Sequence, residues 1–371
     1  MTKPLKLIAA NDTFGATIAL GEMLAGKQAI FVTAPEVNGK MPEVLGLPEQ
    51  VSDEIGLIVE TSGSTGEPKR IELSVAALSA SARASQDRLG GPGQWLLALP
   101  INYIAGANVL IRALFADTQP VLMNTALPFT PEAFSRAASM MTGTRRYTSV
   151  VPTQLMRLLD AIQLGDDFTL QVLKRFDAVL VGGQAVHPEV VEQLRNLGVK
   201  IVETYGMTET CGGCVYDGVP LDGVELEVYR GVIRISGDVL ASNIETEDGW
   251  FATNDLGDFD EAGRWFVVGR ADRVIKSGGI KISLDRVEQL ATQVPGVNEL
   301  AATAIVDREW GERVGVVYTG SPEVADDIAR SLAQDLGPAG RPMRVLRVDK
   351  LPKLANAKID LMAVKQLFEI G

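Results

Sequence analysis

The chain has 371 residues and a formal net charge of −12, with 46% apolar and 22% charged residues. That length accommodates a large core and more than one domain, and the acidic balance argues against a general nucleic-acid binder. No apolar run is long enough for a membrane helix, and the start Met1-Thr2-Lys3-Pro4 lacks a signal-peptide pattern, so a cytoplasmic enzyme with neither nucleic-acid nor membrane partners is expected.

In chain order, residues 1 to about 50 read as irregular apart from a helix over 13–24 and a strand over 29–33. A strand over 55–59 runs into Thr61-Ser62-Gly63-Ser64-Thr65-Gly66-Glu67-Pro68-Lys69, and a helix is expected over 71–83. This loop combines hydroxyl donors, two glycines that let the backbone approach an anion, and the cation of Lys69, which together suit a polyphosphate. It is not a Walker A loop, because Gly63 is followed five places on by Pro68 and then Lys69 and Arg70. A Ser/Gly linker would share the composition, so the rest of the chain must decide.

Strands over 95–99, 121–123, 147–151, 178–181 and 200–204 alternate with helices over 107–116, 131–141, 153–161 and 188–197. The alternation predicts an α/β fold with a mainly parallel sheet, whose ligands sit beyond the carboxyl ends of the strands. Past residue 218, short strands over 225–230, 232–236 and 264–268 predict a β-rich subdomain. From Asp272 a small α+β segment follows, with strands over 274–276, 301–306, 314–319 and 345–348 and helices over 285–293, 323–336 and 361–370.

Three residue groups need separate treatment. Cys211 and Cys214, the only cysteines, form Cys-Gly-Gly-Cys and cannot complete a zinc site with the single histidine, His187. Reduced thiols in a tight loop are expected, with a redox role left open. His187 precedes Pro188 and reads as a surface helix cap, and no Ser–His arrangement points to a hydrolase. Arg112 lies within the apolar helix pattern Val109 to Phe115, where an unpaired charge is costly. It either reaches the surface, pairs with a protein carboxylate, or receives a substrate carboxylate in a forked ion pair.

Several stretches, in order, resemble the adenylate-forming family of acyl-CoA synthetases, adenylation domains and luciferases. The loop from Thr61 to Lys69 is similar to the family's phosphate-binding signature, and Gly182-Gly183-Gln184 to the loop lining its adenine pocket. Tyr205-Gly206-Met207-Thr208-Glu209 resembles the adenine-stacking and metal-binding motif. The resemblance implies that Tyr205 packs on the base, that Glu209 holds Mg²⁺, and that Thr208 joins Glu209 in the catalytic group. Thr253-Asn254-Asp255 looks like the ribose-binding motif, with Asn254 where glycine is usual and Asp255 as the carboxylate. Gly269 to Lys276 resembles the hinge, in which Arg270 touches the ribose and Asp272 is the pivot. Pro352-Lys353 with Ala357-Lys358 resembles the terminal motif that supplies the catalytic Lys358. Gly278-Gly279 either lines a pantetheine channel or forms a plain turn.

Leu99 to Gly106 with Arg112, and Tyr205 to Gly218, resemble members that act on a dicarboxylic acid. That likeness implies Arg112 for the second carboxylate, with Tyr103 and Asn108 as weaker contacts. The family likeness implies an N-terminal core over 1–271 carrying the acid and ATP site, and a mobile C-terminal lid over 272–371. It further implies a small-molecule carboxylic acid, ATP and CoA as substrates, with Mg²⁺. The acid and ATP would give acyl-adenylate and pyrophosphate, and CoA would then give thioester and AMP, with no protein nucleophile. An acyl-CoA ligase is the first expectation. A carrier-loading adenylation enzyme and a non-catalytic nucleotide-binding regulator are the alternatives, and Lys358 speaks against the last. A homo-oligomer stays open.

Overall fold

The computed structural model describes residues 1–62, 68–261, 263, 265–353 and 359–369. The protein is a mixed α/β chain that divides into two compact units. One comprises Met1–Leu226 with Ile235–Phe251, the other Glu227–Arg234 with Ala252–Gly371. The expected boundary at 271/272 falls inside the second unit; it is drawn at a proposed hinge rather than at a change in packing.

The first unit begins with a strand that the sequence pattern hides. β1 (Thr2–Ala9) joins β2 (Ala29–Thr33), β3 (Gln50–Ser52), β4 (Ile55–Ser62) and β5 (Pro68–Ser74) in a sheet ordered β3-β1-β2-β4-β5. Lys3 takes a buried position and Pro4 an exposed one, so β1 lacks a legible apolar alternation. β4 and β5 form an antiparallel hairpin with Thr61 opposite Lys69. The helix expected from residue 71 is therefore corrected: Ile71 and Leu73 are buried while Arg70, Glu72 and Ser74 are half-buried, which is the period of a strand. α1 (Thr13–Leu24) follows β1, and α2 (Val75–Arg88) starts only after Ser74, whose Oγ accepts from Ala77 N–H at 3.0 Å.

The larger sheet runs β12-β11-β10-β9-β8-β6-β7. Its strands β6 (Gln94–Leu97), β7 (Val121–Leu122), β8 (Arg146–Val150), β9 (Ala178–Gly182) and β10 (Ile201–Met207) are parallel. β11 (Gly212–Tyr216) and β12 (Val219–Pro220) return antiparallel. α3 (Ile104–Phe115) packs with α1 and α2 between the two sheets. Helices α4 (Pro131–Ser139), α5 (Pro152–Gln163), α6 (Asp167–Leu173) and α7 (Pro188–Asn196) complete the unit. Phe134, Leu155, Leu158, Leu173 and Leu194 meet in its core, each burial contributing about 1.5–3 kcal/mol before the entropy of ordering.

A third sheet is ordered β13-β14-β15-β16, from β13 (Val224–Tyr229), β14 (Val232–Gly237), β15 (Phe251–Phe259) and β16 (Trp265–Arg270). Then come β17 (Val274–Ser277), β18 (Ile280–Ser283), α8 (Leu284–Ala291), β19 (Val297–Asp307), β20 (Gly311–Gly320), α9 (Ala325–Gly340), β21 (Arg344–Arg347) and α10 (Leu361–Glu369). Their core holds Val287, Leu290, Val316, Tyr318, Ile328 and Leu332. Among the described residues, no helix is long and apolar enough to cross a membrane.

Candidate active site

In the first unit the expected loops lie at the carboxyl ends of β9 and β10, which run in register with Gly182 opposite Thr204. A Cβ on Gly182 would stand 2.3 Å from Thr204 Oγ1, so this close approach requires glycine. Gly183 and Gln184 follow, both exposed. Opposite the Tyr205–Gly206 step of β10, β11 carries the extra residue Cys214 as a bulge, and a Cβ at Gly206 would meet the Gly212 carbonyl oxygen at 2.1 Å.

Beyond Met207 the chain makes a single 3₁₀ turn, Thr208–Thr210. Thr210 Oγ1 accepts from Met207 N–H at 3.0 Å and donates to the Gly212 carbonyl at 2.8 Å. The turn directs Glu209 toward the β4–β5 hairpin, where its Oε1 lies 3.9 Å from Lys69 Nζ. Thr61 Oγ1 donates to the Lys69 carbonyl at 3.2 Å. Gly63, Ser64, Thr65 and Gly66 lie outside the described residues, as does the side chain of Ser62.

A segment that the sequence reading passed over ties these pieces together. Asn243 Oδ1 accepts from Glu72 N–H at 2.9 Å, and its Nδ2 donates to the Arg70 carbonyl at 2.9 Å. Two residues earlier, Ala241 N–H donates to the Glu209 carbonyl at 2.8 Å. A single polar residue in a Ser-Asn turn carries no recognisable motif, so only the fold reveals it.

The α3 candidates separate by depth. Tyr103 is the N-cap of α3 and its carbonyl accepts from Ala107 N–H at 3.0 Å. Asn108 does not face an open acid pocket: it is 3% exposed, and its Nδ2 donates to the Cys211 carbonyl at 2.7 Å. Arg112, one helical turn or about 6 Å further along, is 6% exposed with its guanidinium 5.3 Å from the centre of the Trp95 ring. Its Nε has no hydrogen-bond partner, and among the described residues no carboxylate pairs with it. A cavity of about 10 Å³ beside it is lined by Gln86, Gly93, Trp95 and Tyr147 among others. Gln86 Oε1 is likewise buried without a partner. The surface alternative for Arg112 fails, and no described carboxylate fills the second one.

His187 caps α7 as expected, its Nδ1 accepting from Glu189 N–H at 3.3 Å. Both cysteines are free and buried, and burial pushes the Cys214 thiol up to about 11 and Cys211 higher still.

In the second unit Asp255 stands opposite Arg270 on β15 and β16, with Arg270 Nη1 3.8 Å from Asp255 Oδ1. Asn254 sits within β15 and has no positive φ, so the strand needs no glycine there. Arg270 also forks onto Asp272, with Nε to Oδ1 at 2.8 Å and Nη2 to Oδ2 at 2.7 Å. That bond holds the Asp272 carboxyl below its ordinary range and raises Arg270. Arg270 N–H donates to Asp285 Oδ2 at 2.6 Å, which fastens this segment to the start of α8. Gly278 and Gly279, at φ +56° and +84°, form the two-residue turn between β17 and β18. Positive φ at both positions is what such a hairpin demands, and a Cβ on Gly278 would also stand 2.8 Å from Trp310 Cε3. Lys353 pairs with Glu299, and Lys358 lies outside the described residues.

The profile of the AMP-binding enzymes matches residues 17–233, and that of the AMP-binding enzyme C-terminal domain matches residues 286–358. The chain belongs to the AMP-binding enzyme family. Among its relatives, a probable 2-succinylbenzoate–CoA ligase of Mycobacterium tuberculosis is 38% identical, covering 94% of each chain. The 2-succinylbenzoate–CoA ligase of Escherichia coli is 28% identical over 82% of this chain and 67% of its own. Among solved structures, o-succinylbenzoate CoA synthetase from Bacillus subtilis with its acyl-adenylate intermediate superposes with a TM-score of 0.76. It is 20% identical and covers 99% of this chain and 95% of its own. The amide bond synthetase McbA from Marinactinospora thermotolerans gives a TM-score of 0.77 at 19% identity, over 99% and 90%. At these identities the structural likeness is one of fold.

For an AMP-binding enzyme, the donor set at Glu209 suits a nucleotide-borne Mg²⁺. Among the described residues no cluster of three or more His, Cys, Asp or Glu side chains could hold a metal unaided. One hard carboxylate oxygen facing Lys69 of the β4–β5 hairpin matches the way Mg²⁺ accompanies phosphates, with one or two carboxylates and retained waters.

Proposed function

We propose that the protein is an ATP-dependent, AMP-forming acid–thiol ligase whose acid is o-succinylbenzoate, acting in menaquinone synthesis. The observation that carries the choice of acid is Arg112, a buried guanidinium with an unpartnered Nε and, among the described residues, no carboxylate partner. Leaving such a cation unpaired is expensive, and a second substrate carboxylate would relieve it with forked hydrogen bonds. The 38% identity to a probable 2-succinylbenzoate–CoA ligase supports the same acid.

In this reading the hydroxyls and backbone of Thr61, Ser62, Gly63, Ser64, Thr65 and Gly66, with Lys69, cradle the phosphates. Tyr205 packs on adenine beside Gly182, Gly183, Gln184, Gly206 and Met207, while Asp255 and Arg270 hold the ribose. Glu209 would hold Mg²⁺, which supplies neutralisation of phosphate charge. Thr208 lies beside the reacting groups, and Lys358 stabilises charge as pyrophosphate leaves. Positioning of two anions against each other supplies the main rate advantage.

The test is thioester formation. Purified protein with ATP, Mg²⁺, CoA and o-succinylbenzoate should yield AMP and the CoA thioester in equal amounts. Acid-dependent pyrophosphate release without thioester would favour a carrier-loading enzyme, and neither pyrophosphate nor thioester would refute the ligase.

A further inference from the structure

Asn108 reaches the turn that carries Glu209 without touching Glu209 itself. The Cys211 carbonyl accepts two buried donors, Asn108 Nδ2 at 2.7 Å and Ser81 Oγ at 3.3 Å. Cys211 ends the Thr208–Thr210 turn in the left-handed conformation, at φ 52° and ψ 35°. A residue with a Cβ resists that region, so something must hold it there. The fit behind it is tight, since a Cβ on Gly212 would stand 2.4 Å from Asn108 Nδ2. Helix α3 thus grips the turn from behind, while Ala241 N–H grips the Glu209 carbonyl.

We propose that Asn108, assisted by Ser81, is a positioning residue for Glu209. By holding the Cys211 carbonyl it fixes the left-handed residue that closes the turn, and with it the direction of the Glu209 carboxylate. The proposal rests on the ligase reading for its consequence in activity, and on the hydrogen bonds alone for its structural part. Asn108 therefore acts on the metal and phosphate side of the site, and its loss should leave acid recognition intact. Ser81 makes the longer bond and should matter less.

The test compares the parent, Asn108→Ala and Ser81→Ala in acid-dependent ATP–pyrophosphate exchange, and in hydrogen–deuterium exchange of peptides spanning Met207 to Gly213. Asn108→Ala should raise the Mg²⁺ concentration for half-maximal rate about fivefold or more, as expected on losing a buried hydrogen bond. Its kcat should fall and its KM for the acid stay within about twofold, because Arg112 is untouched. The Met207–Gly213 amides should exchange faster while α3 keeps its protection. Ser81→Ala should move every reading the same way by less, and it decides the matter should Asn108→Ala fail to fold. Unchanged exchange at Met207–Gly213, or a raised acid KM with an unchanged Mg²⁺ requirement, would overturn the proposal. A parent inactive with every acid would refute the ligase reading, and hydrogen exchange would still decide whether Asn108 holds the turn.

Discussion

Lys69 Nζ lies 3.9 Å from Glu209 Oε1, so the cation of the β4–β5 hairpin faces the carboxylate of the turn after β10. Lys69 is 55% exposed and Glu209 19%, an environment in which an ion pair adds little stability. Its significance lies in what the two charges can do to a triphosphate. Lys69→Ala should raise the KM for ATP about tenfold while moving Tm by no more than about 2 °C. Glu209→Gln should weaken the response to Mg²⁺ and lower the adenylation rate, because an amide is a poorer ligand for a hard dication. Mg²⁺ titrations of both variants check this, and a normal titration for Glu209→Gln would remove it from the site.

Arg112 is the residue proposed to select the acid. Arg112→Ala should lower kcat/KM for o-succinylbenzoate about tenfold or more, the loss of a charge-assisted pair of about 1.5–3 kcal/mol. Arg112→Lys keeps the charge but loses the fork, and should recover only part. The KM for ATP should stay unchanged in both. Parent-like kinetics for Arg112→Ala would take Arg112 out of the acid site.

The Arg270–Asp272 pair gives a pH signature. Arg270 holds the Asp272 carboxyl below its ordinary value, so ionised Asp272 contributes stability above the ordinary carboxylate range. That contribution is lost as pH falls through the lowered folded-state value. Asp272→Asn should therefore melt slightly below the parent at pH 7, with the gap closing as pH falls below the ordinary carboxylate range. Thermal melts across that range check the sign.

The two half-reactions should separate genetically. Lys358→Ala should abolish adenylate formation yet convert supplied acyl-adenylate and CoA to thioester. Asp272→Pro, which restricts the proposed hinge torsion, should form adenylate but make thioester slowly. Equal loss of both half-reactions in a folded Lys358→Ala protein would contradict a domain alternation.

Much of this architecture was legible because its signals are local. The parallel strands over 147–151 and 178–181 and their helices read directly from apolar runs and turns, and Gly182, Gly206 and the His187 cap stood at strand and helix ends. β1 escaped because Lys3 and Pro4 break its alternation. β5 escaped because Ala- and Ser-rich α2 follows it closely, and the helix signal spread backward over Ile71 and Leu73. Asn108 was recognisable as a polar residue on an apolar helix, but its partner, the Cys211 carbonyl, lies more than 100 positions away. Asn243 failed for the same reason, since its partners, the Glu72 N–H and the Arg70 carbonyl, are backbone groups that leave no trace in side-chain pattern.

The central claim, a ligase selected for an acid with a second carboxylate, is tested most directly by acid-dependent ATP–pyrophosphate exchange. The panel should contain o-succinylbenzoate, simple aryl acids and fatty acids, each run with the parent and with Arg112→Ala. The account predicts exchange with o-succinylbenzoate, little with benzoate or fatty acids, and loss of that preference in Arg112→Ala. Exchange of equal strength with a monocarboxylic aryl or fatty acid in the parent would contradict it.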